Sequence, residues 1–127
     1  MAKLSEIMTT DVHTTAADTP VAEAARAMVT GRFGSVIVLD SGWLSGIFTE
    51  RDVLRAAAAG GDLSATPVGE WMTKDPTTVE GDMDSEEAAQ IMATNGFRHL
   101  PVVEGKNLLG LVSLRDVLST RIARTPR

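Results

Sequence analysis

The sequence has 127 residues, 43% hydrophobic and 23% charged, a balance that fits a folded globular chain and excludes disordered and fibrous ones. A net charge of −5 opposes non-specific binding to nucleic acid, and the absence of cysteine excludes disulfides and thiolate metal sites. No apolar run approaches the roughly 18 residues of a membrane span, and Met1-Ala2-Lys3-Leu4-Ser5-Glu6 lacks the order of a secretion signal, so a cytoplasmic protein without membrane contact is expected.

In chain order, a short helical turn is expected over Leu4 to Met8 and an extended stretch over Val12 to Thr15. Thr19-Pro20 reads as an N-cap and first-turn proline. Val21, Ala24, Ala25 and Met28 then recur at helical spacing, and Gly31 stops the helix. Two short apolar strands, Val36 to Leu39 and Leu44 to Phe48, flank Asp40-Ser41-Gly42-Trp43, whose composition suits a hairpin turn. A helix from Glu50 to Ala59 closes this half.

After a short linker, 60–67, the order recurs. A turn over Val68 to Met72 and a strand over Thr77 to Val79 precede a helix capped by Asp84 or Ser85. Ala88, Ala89, Ile91 and Met92 form its apolar stripe and Asn95-Gly96 ends it. Strands Leu100 to Val103 and Leu108 to Val112 then lead into a helix from about Leu114 to Ala123. The tail from Arg121 to Arg127 either frays or extends that helix.

Sliding the sequence by 64 positions aligns Met8–Leu54 with Met72–Leu118 without a gap, and 18 of the 47 aligned residues are identical. The chain is therefore one unit written twice, with the first copy at 1–59 and the second at 68–127. Each half alone would be marginal, so the two must depend on one another.

The strongest chemical signal is Gly46-Ile47-Phe48-Thr49-Glu50-Arg51-Asp52, repeated as Gly110-Leu111-Val112-Ser113-Leu114-Arg115-Asp116. A hydroxyl stands where a strand turns into a helix, and a carboxylate follows three residues later. Free N–H groups at a helix start suit anionic oxygens, and a carboxylate one turn on can accept both hydrogen bonds of a ribose diol. The same residues also make an ordinary helix cap, worth about 1 kcal/mol.

Met-Thr followed by Asp, an alanine-rich helix, Gly96-Phe97-Arg98-His99-Leu100-Pro101-Val102-Val103, and then glycine, two apolar residues, Thr or Ser, two residues and Asp together resemble the CBS-domain signature across nearly the whole chain. The resemblance implies an α+β fold of two strand-helix-strand-strand-helix units packed as one pseudo-twofold module, with two ligand sites in the cleft between repeats. Carried over by motif, a primary site joins Thr49 and Asp52 to Pro76, Thr78, Arg98, His99 and Pro101. A secondary site joins Ser113 and Asp116 to Val12, Thr14, Ser35 and Val36.

Arg98-His99 aligns with Gly34-Ser35, so only the Asp52 site gains a guanidinium able to meet a phosphate bidentately. Ile37 stands where Pro101 does, a departure from the family pattern on the Asp116 side. The implied ligand is AMP, ADP, ATP, NAD or S-adenosylmethionine, with no cofactor required, and the implied partners are a second copy of the chain and an effector protein. Arg51 and Arg115 read as exposed helix residues, His13 as exposed, His99 as a packed polar residue, and Trp43 and Trp71 as hydrophobic anchors.

Catalysis is not expected. The sequence offers no cysteine nucleophile, no Ser–His–Asp set, no Gly-x-x-x-x-Gly-Lys loop and no Gly-x-Gly-x-x-Gly. A metal site is not expected either, there being no cysteine and only two histidines, which lie far apart in sequence. The rival to ligand sensing is a ligand-free dimerisation or protein-interaction module.

Overall fold

Two hairpins frame the fold in the computed structural model, which describes residues 2–124, with side chains through residue 120. Strands β2 (Ser35–Asp40) and β3 (Trp43–Thr49) form the first, and β6 (His99–Glu104) and β7 (Asn107–Ser113) the second. Ser41 and Gly42 both take positive φ, 53° and 86°, the type I′ turn whose twist matches the flanking strands. In the second hairpin Gly105 takes φ 61° at the first central position, which glycine adopts without steric cost.

The helices α2 (Val21–Gly31), α3 (Glu50–Ala58), α4 (Ser85–Asn95) and α5 (Leu114–Arg124) follow the expected order, with short α1 (Leu4–Ile7) and a 3-10 turn at Val68–Glu70. Short strands β1 (Thr14–Thr15), β4 (Thr73–Lys74) and β5 (Val79–Glu80) complete an α+β fold with two sheets, ordered β1-β2-β3-β4 and β5-β6-β7. β4 was not expected from the sequence. Of the basic tail, Arg127 lies outside the described residues, as do the side chains of Arg121 and Arg124.

The chain divides into two compact units that cut across the sequence repeats: residues 13–76 form one, and residues 1–12 with 77–127 the other. The leader of each sequence copy therefore packs in the unit built on the other copy's sheet. In the first unit β4 pairs antiparallel with β3, Gly46 opposite Lys74 and Ile47 opposite Thr73. In the second, Thr9 and Leu111 exchange backbone hydrogen bonds at 2.8 and 2.9 Å.

Each unit has its own core. In unit 13–76, Val21, Ala24 and Met28 of α2 bury against Val36, Val38, Phe48, Ala56 and Val68, with Trp71 and Met72 at the margin. In the other, Leu4 joins Val79, Ala88, Met92, Leu100, Val102, Val112 and Val117, with Ile7 and Met8 packed against them. Leu4 and Val68 are both fully buried, so the borrowed leader is an integral part of each core.

Two helix ends differ from expectation. Pro20 occupies the N-cap position of α2 and Thr19 makes no cap; Thr19 Oγ1 instead accepts from Thr15 Oγ1 at 2.7 Å. The open N–H groups of Val21 and Ala22 donate to the linker carbonyls of Thr66 and Leu63, at 2.8 and 3.0 Å, which leaves no donor for a threonine cap. The linker is thus part of the helix cap. In α4 it is Asp84 that caps, accepting from Glu86 N at 2.9 Å.

At the other end of α2, Gly31 remains helical and Arg32 takes the left-handed cap at φ 59°, where the second copy has Gly96 at φ 76°. A non-glycine residue pays about 1 kcal/mol there, partly offset by glycine's greater freedom in the unfolded chain. Arg32→Gly should therefore raise stability by about 0.5 kcal/mol, seen as a higher urea midpoint at unchanged slope.

Candidate functional site

Strand β3 delivers Thr49 to the start of α3, and the local geometry there is a reciprocal capping box. Thr49 adopts an extended backbone, φ −118° and ψ 167°, and its Oγ1 accepts from Asp52 N at 3.3 Å. In return the Asp52 carboxylate accepts from Thr49 N at 3.0 Å and from Thr49 Oγ1 at 3.2 Å, both on Oδ2. Asp52 is only 5% exposed. The helix dipole and these donors keep a buried carboxylate satisfied at this position.

The second copy repeats the arrangement in its own unit. Ser113 N donates to Asp116 Oδ2 at 2.8 Å, and Asp116 N donates to Ser113 Oγ at 3.1 Å. Asp116 is half-buried where Asp52 is buried.

The remaining oxygen of Asp52 has a partner that sequence reasoning missed. Arg55 Nη1 donates to Asp52 Oδ1 at 3.0 Å, and the Arg55 guanidinium carbon lies 5.3 Å from the centre of the Trp71 ring. The spacing of Arg55 three residues after Asp52 was visible in the sequence. That the leader carrying Trp71 docks beneath it was not.

Hairpin register brings further predicted residues to these caps. Ser35, 4% exposed, pairs with Thr49 across β2–β3, and Thr14 on β1 lies beside Ile37. Val36 is fully buried and Pro76 half-buried. In the other unit His99 pairs with Ser113, and the Arg98 carbonyl accepts from Leu114 N at 2.9 Å. There Arg98 and Thr78 are exposed, His99 and Val12 half-buried, and Pro101 buried within β6. So Thr49, Asp52, Pro76, Thr14, Ser35 and Val36 stand in unit 13–76, and Thr78, Arg98, His99, Pro101, Ser113, Asp116 and Val12 in the other.

Other singled-out residues have plain roles. Trp71 anchors the core of its unit, as expected. Trp43 does not: it is 51% exposed, because it begins β3 at the hairpin turn. His13 is exposed and its ring stacks on Phe33 at 5.3 Å. Among the described residues no group of three or more His, Asp or Glu is placed to hold a metal ion, and no helix is long and apolar enough to cross a membrane.

Two copies of one strand-helix-strand-strand-helix order, each with a hydroxyl–carboxylate cap where its hairpin enters the last helix, match the CBS domain at residues 4–59 and 68–122. The chain belongs to the CBS-domain family. It is 37% identical over 118 residues to the CBS domain-containing protein YhcV of Bacillus subtilis (strain 168), a match covering 92% of this chain and 84% of that one. Its fold is similar to that of a CBS-domain protein from Burkholderia ambifaria MC40-6, with TM-score 0.94, 28% identity, and 99% and 98% of the two chains covered. It is also similar to the CBS domain pair of protein MJ0100, solved with methylthioadenosine and S-adenosyl-L-methionine. There the TM-score is 0.90 at 21% identity, over 98% of this chain and 99% of that one, a likeness of fold. CBS pairs are regulatory ligand-binding modules.

Proposed function

We propose that this CBS pair is a cytoplasmic regulator that binds an adenosine-type ligand, AMP, ADP, ATP or a related adenosyl compound such as S-adenosylmethionine, and passes its occupancy to an effector protein without catalysis. The observation that carries this reading is the Thr49–Asp52 cap, a buried carboxylate held by donors at a helix start and repeated at Ser113–Asp116. Such a group recognises a ribose diol by accepting two hydrogen bonds.

Carried over from the family motif, the candidate primary residues are Thr49, Asp52 and Pro76 in unit 13–76 and Thr78, Arg98, His99 and Pro101 in the other unit, with Arg98 the group suited to a phosphate; the candidate secondary residues are Ser113, Asp116 and Val12 in that other unit and Thr14, Ser35 and Val36 in unit 13–76. The fold shared with a pair solved with two adenosyl ligands makes that chemical class the first to test. Ligand binding would shift the population of states offered to the effector.

A second reading, a homodimerisation or docking module that needs no ligand, is favoured by Leu54 and Leu118. They occupy aligned positions on α3 and α5 and are 70% and 42% exposed.

The two readings separate in a thermal-melt screen of AMP, ADP, ATP, NAD and S-adenosylmethionine. A ligand at 100 times its dissociation constant adds about 2.7 kcal/mol, on the order of 5–10 °C at this size. In an Asp116→Ala background, where the second cap is removed, that shift should vanish in Asp52→Ala and, for phosphate-bearing ligands, fall in Arg98→Ala. No shift with any of the five at millimolar concentration would leave only the ligand-free module.

A further inference from the structure

We propose that Arg55 is a resident competitor for Asp52, so that the first cap takes a ribose diol only when its own arginine lets go, while the second needs no such release. This rests on the adenosyl reading above. A carboxylate offers about four acceptor positions. At Asp52 three are filled: Thr49 N and Thr49 Oγ1 donate to Oδ2, and Arg55 Nη1 to Oδ1. A diol brings two hydroxyl donors and needs two positions, so it cannot be satisfied while Arg55 stays.

Three features suit Arg55 to leaving. Its side chain is 57% exposed while that of Asp52 is 7% exposed, so the cation keeps access to water that the carboxylate lacks. The pair is a single hydrogen bond through one guanidinium nitrogen, not a two-pronged fork. And the guanidinium already lies over the face of Trp71, which is packed against the core and remains as a resting place once Asp52 is given up.

The second copy lacks every part of this device. Ser119 aligns with Arg55 and Ile7 with Trp71. Asp116 accepts from Ser113 N, and no arginine stands three residues after it on α5. The duplicated caps therefore differ in readiness: the Asp116 carboxylate has no counterpart of Arg55 to release, and the Asp52 carboxylate is held back by an equilibrium that lowers its apparent affinity by the fraction of time it is free.

The test is calorimetric titration of the full chain, in an Asp116→Asn background so that only the first cap reads, with adenosine and 2′-deoxyadenosine as probes. Neither probe carries a phosphate to attract Arg55. Arg55→Ser, which installs the second copy's residue, should bind adenosine about three- to tenfold more tightly than the chain with Arg55, with no such gain for 2′-deoxyadenosine. Equal or weaker adenosine binding by Arg55→Ser, or an equal gain for the deoxy probe, overturns the competitor and leaves the adenosyl reading standing. No heat from either chain with either probe overturns the competitor, and the adenosyl reading falls with it if the thermal-melt screen also shows no shift with any of its five ligands.

Discussion

A chain lacking residues 1–12 should lose the unit formed with residues 77–127 while keeping the unit 13–76. The deletion removes fully buried Leu4 along with Ile7, Met8 and the Thr9–Leu111 hydrogen bonds. Deleting one buried leucine side chain costs about 2–5 kcal/mol, so losing the whole leader exceeds what a small domain of 5–15 kcal/mol can absorb. Amide resonances from Val79–Val117 should collapse to poor dispersion while those of Val21–Met72 stay spread. The complementary result is a cooperative melt from a fragment of residues 13–76 and none from residues 1–64 as a monomer. Were 1–64 to melt cooperatively as a monomer, its leader would dock on its own sheet and the exchange would be dispensable.

The second large effect is expected at Gly46 and Gly110, where each leader crosses a strand at close range. A Cβ at Gly110 would stand 2.6 Å from the Thr9 carbonyl oxygen and 2.9 Å from Met8 Sδ; at Gly46 it would stand 2.7 Å from Met72 Sδ and 2.8 Å from the Thr73 carbonyl oxygen. Methionine sulfur can move aside, but a paired backbone carbonyl cannot without breaking the ladder. Gly110→Ala and Gly46→Ala should each cost about 2–3 kcal/mol, a drop in Tm of roughly 10 °C. Gly61→Ala is the control. Its nearest neighbour would be Thr66 Oγ1 at 3.5 Å, an ordinary contact, and its effect should stay within about 0.5 kcal/mol. A small effect at all three positions would mean that the leaders sit loosely.

The parts of this fold that sequence reasoning reached are those whose causes are local. The four long helices, both hairpins and both caps follow from periodicity, turn residues and a hydroxyl three positions before a carboxylate, all within a few residues of one another. The leader exchange has no such cause. Met8 and Met72, Thr9 and Thr73, and Asp11 and Asp75 are identical across the copies, so these residues carry no mark of which sheet each leader chooses. The cap of α2 was missed for a related reason: Thr19 is the right residue in the right place, but the carbonyls of Leu63 and Thr66 arrive from more than 40 positions away. The left-handed residue after α2 fell on Arg32 because its glycine stands one position too early.

At the candidate site the same division holds. Thr49 and Asp52 were legible because their spacing is itself the geometry of a cap. Arg55 as a partner of Asp52 was half legible, since i and i+3 lie on one helix face. Its placement over Trp71 was not, because that depends on where the second leader docks.

The exchanged leaders also bear on descent. A single ancestral repeat could bury the same surfaces only by trading leaders with another copy of itself, so its core would have formed at a rate and extent set by protein concentration. Joining two copies through eight residues, 60–67, turned that encounter into a reaction within one chain, at an effective concentration on the order of millimolar. Met8 now packs against Gly110 and Met72 against Gly46, so the fit of each half depends on the other. The two copies differ in their caps, as Arg55 and Ser119 show, while both keep a methionine against a glycine where leader meets strand.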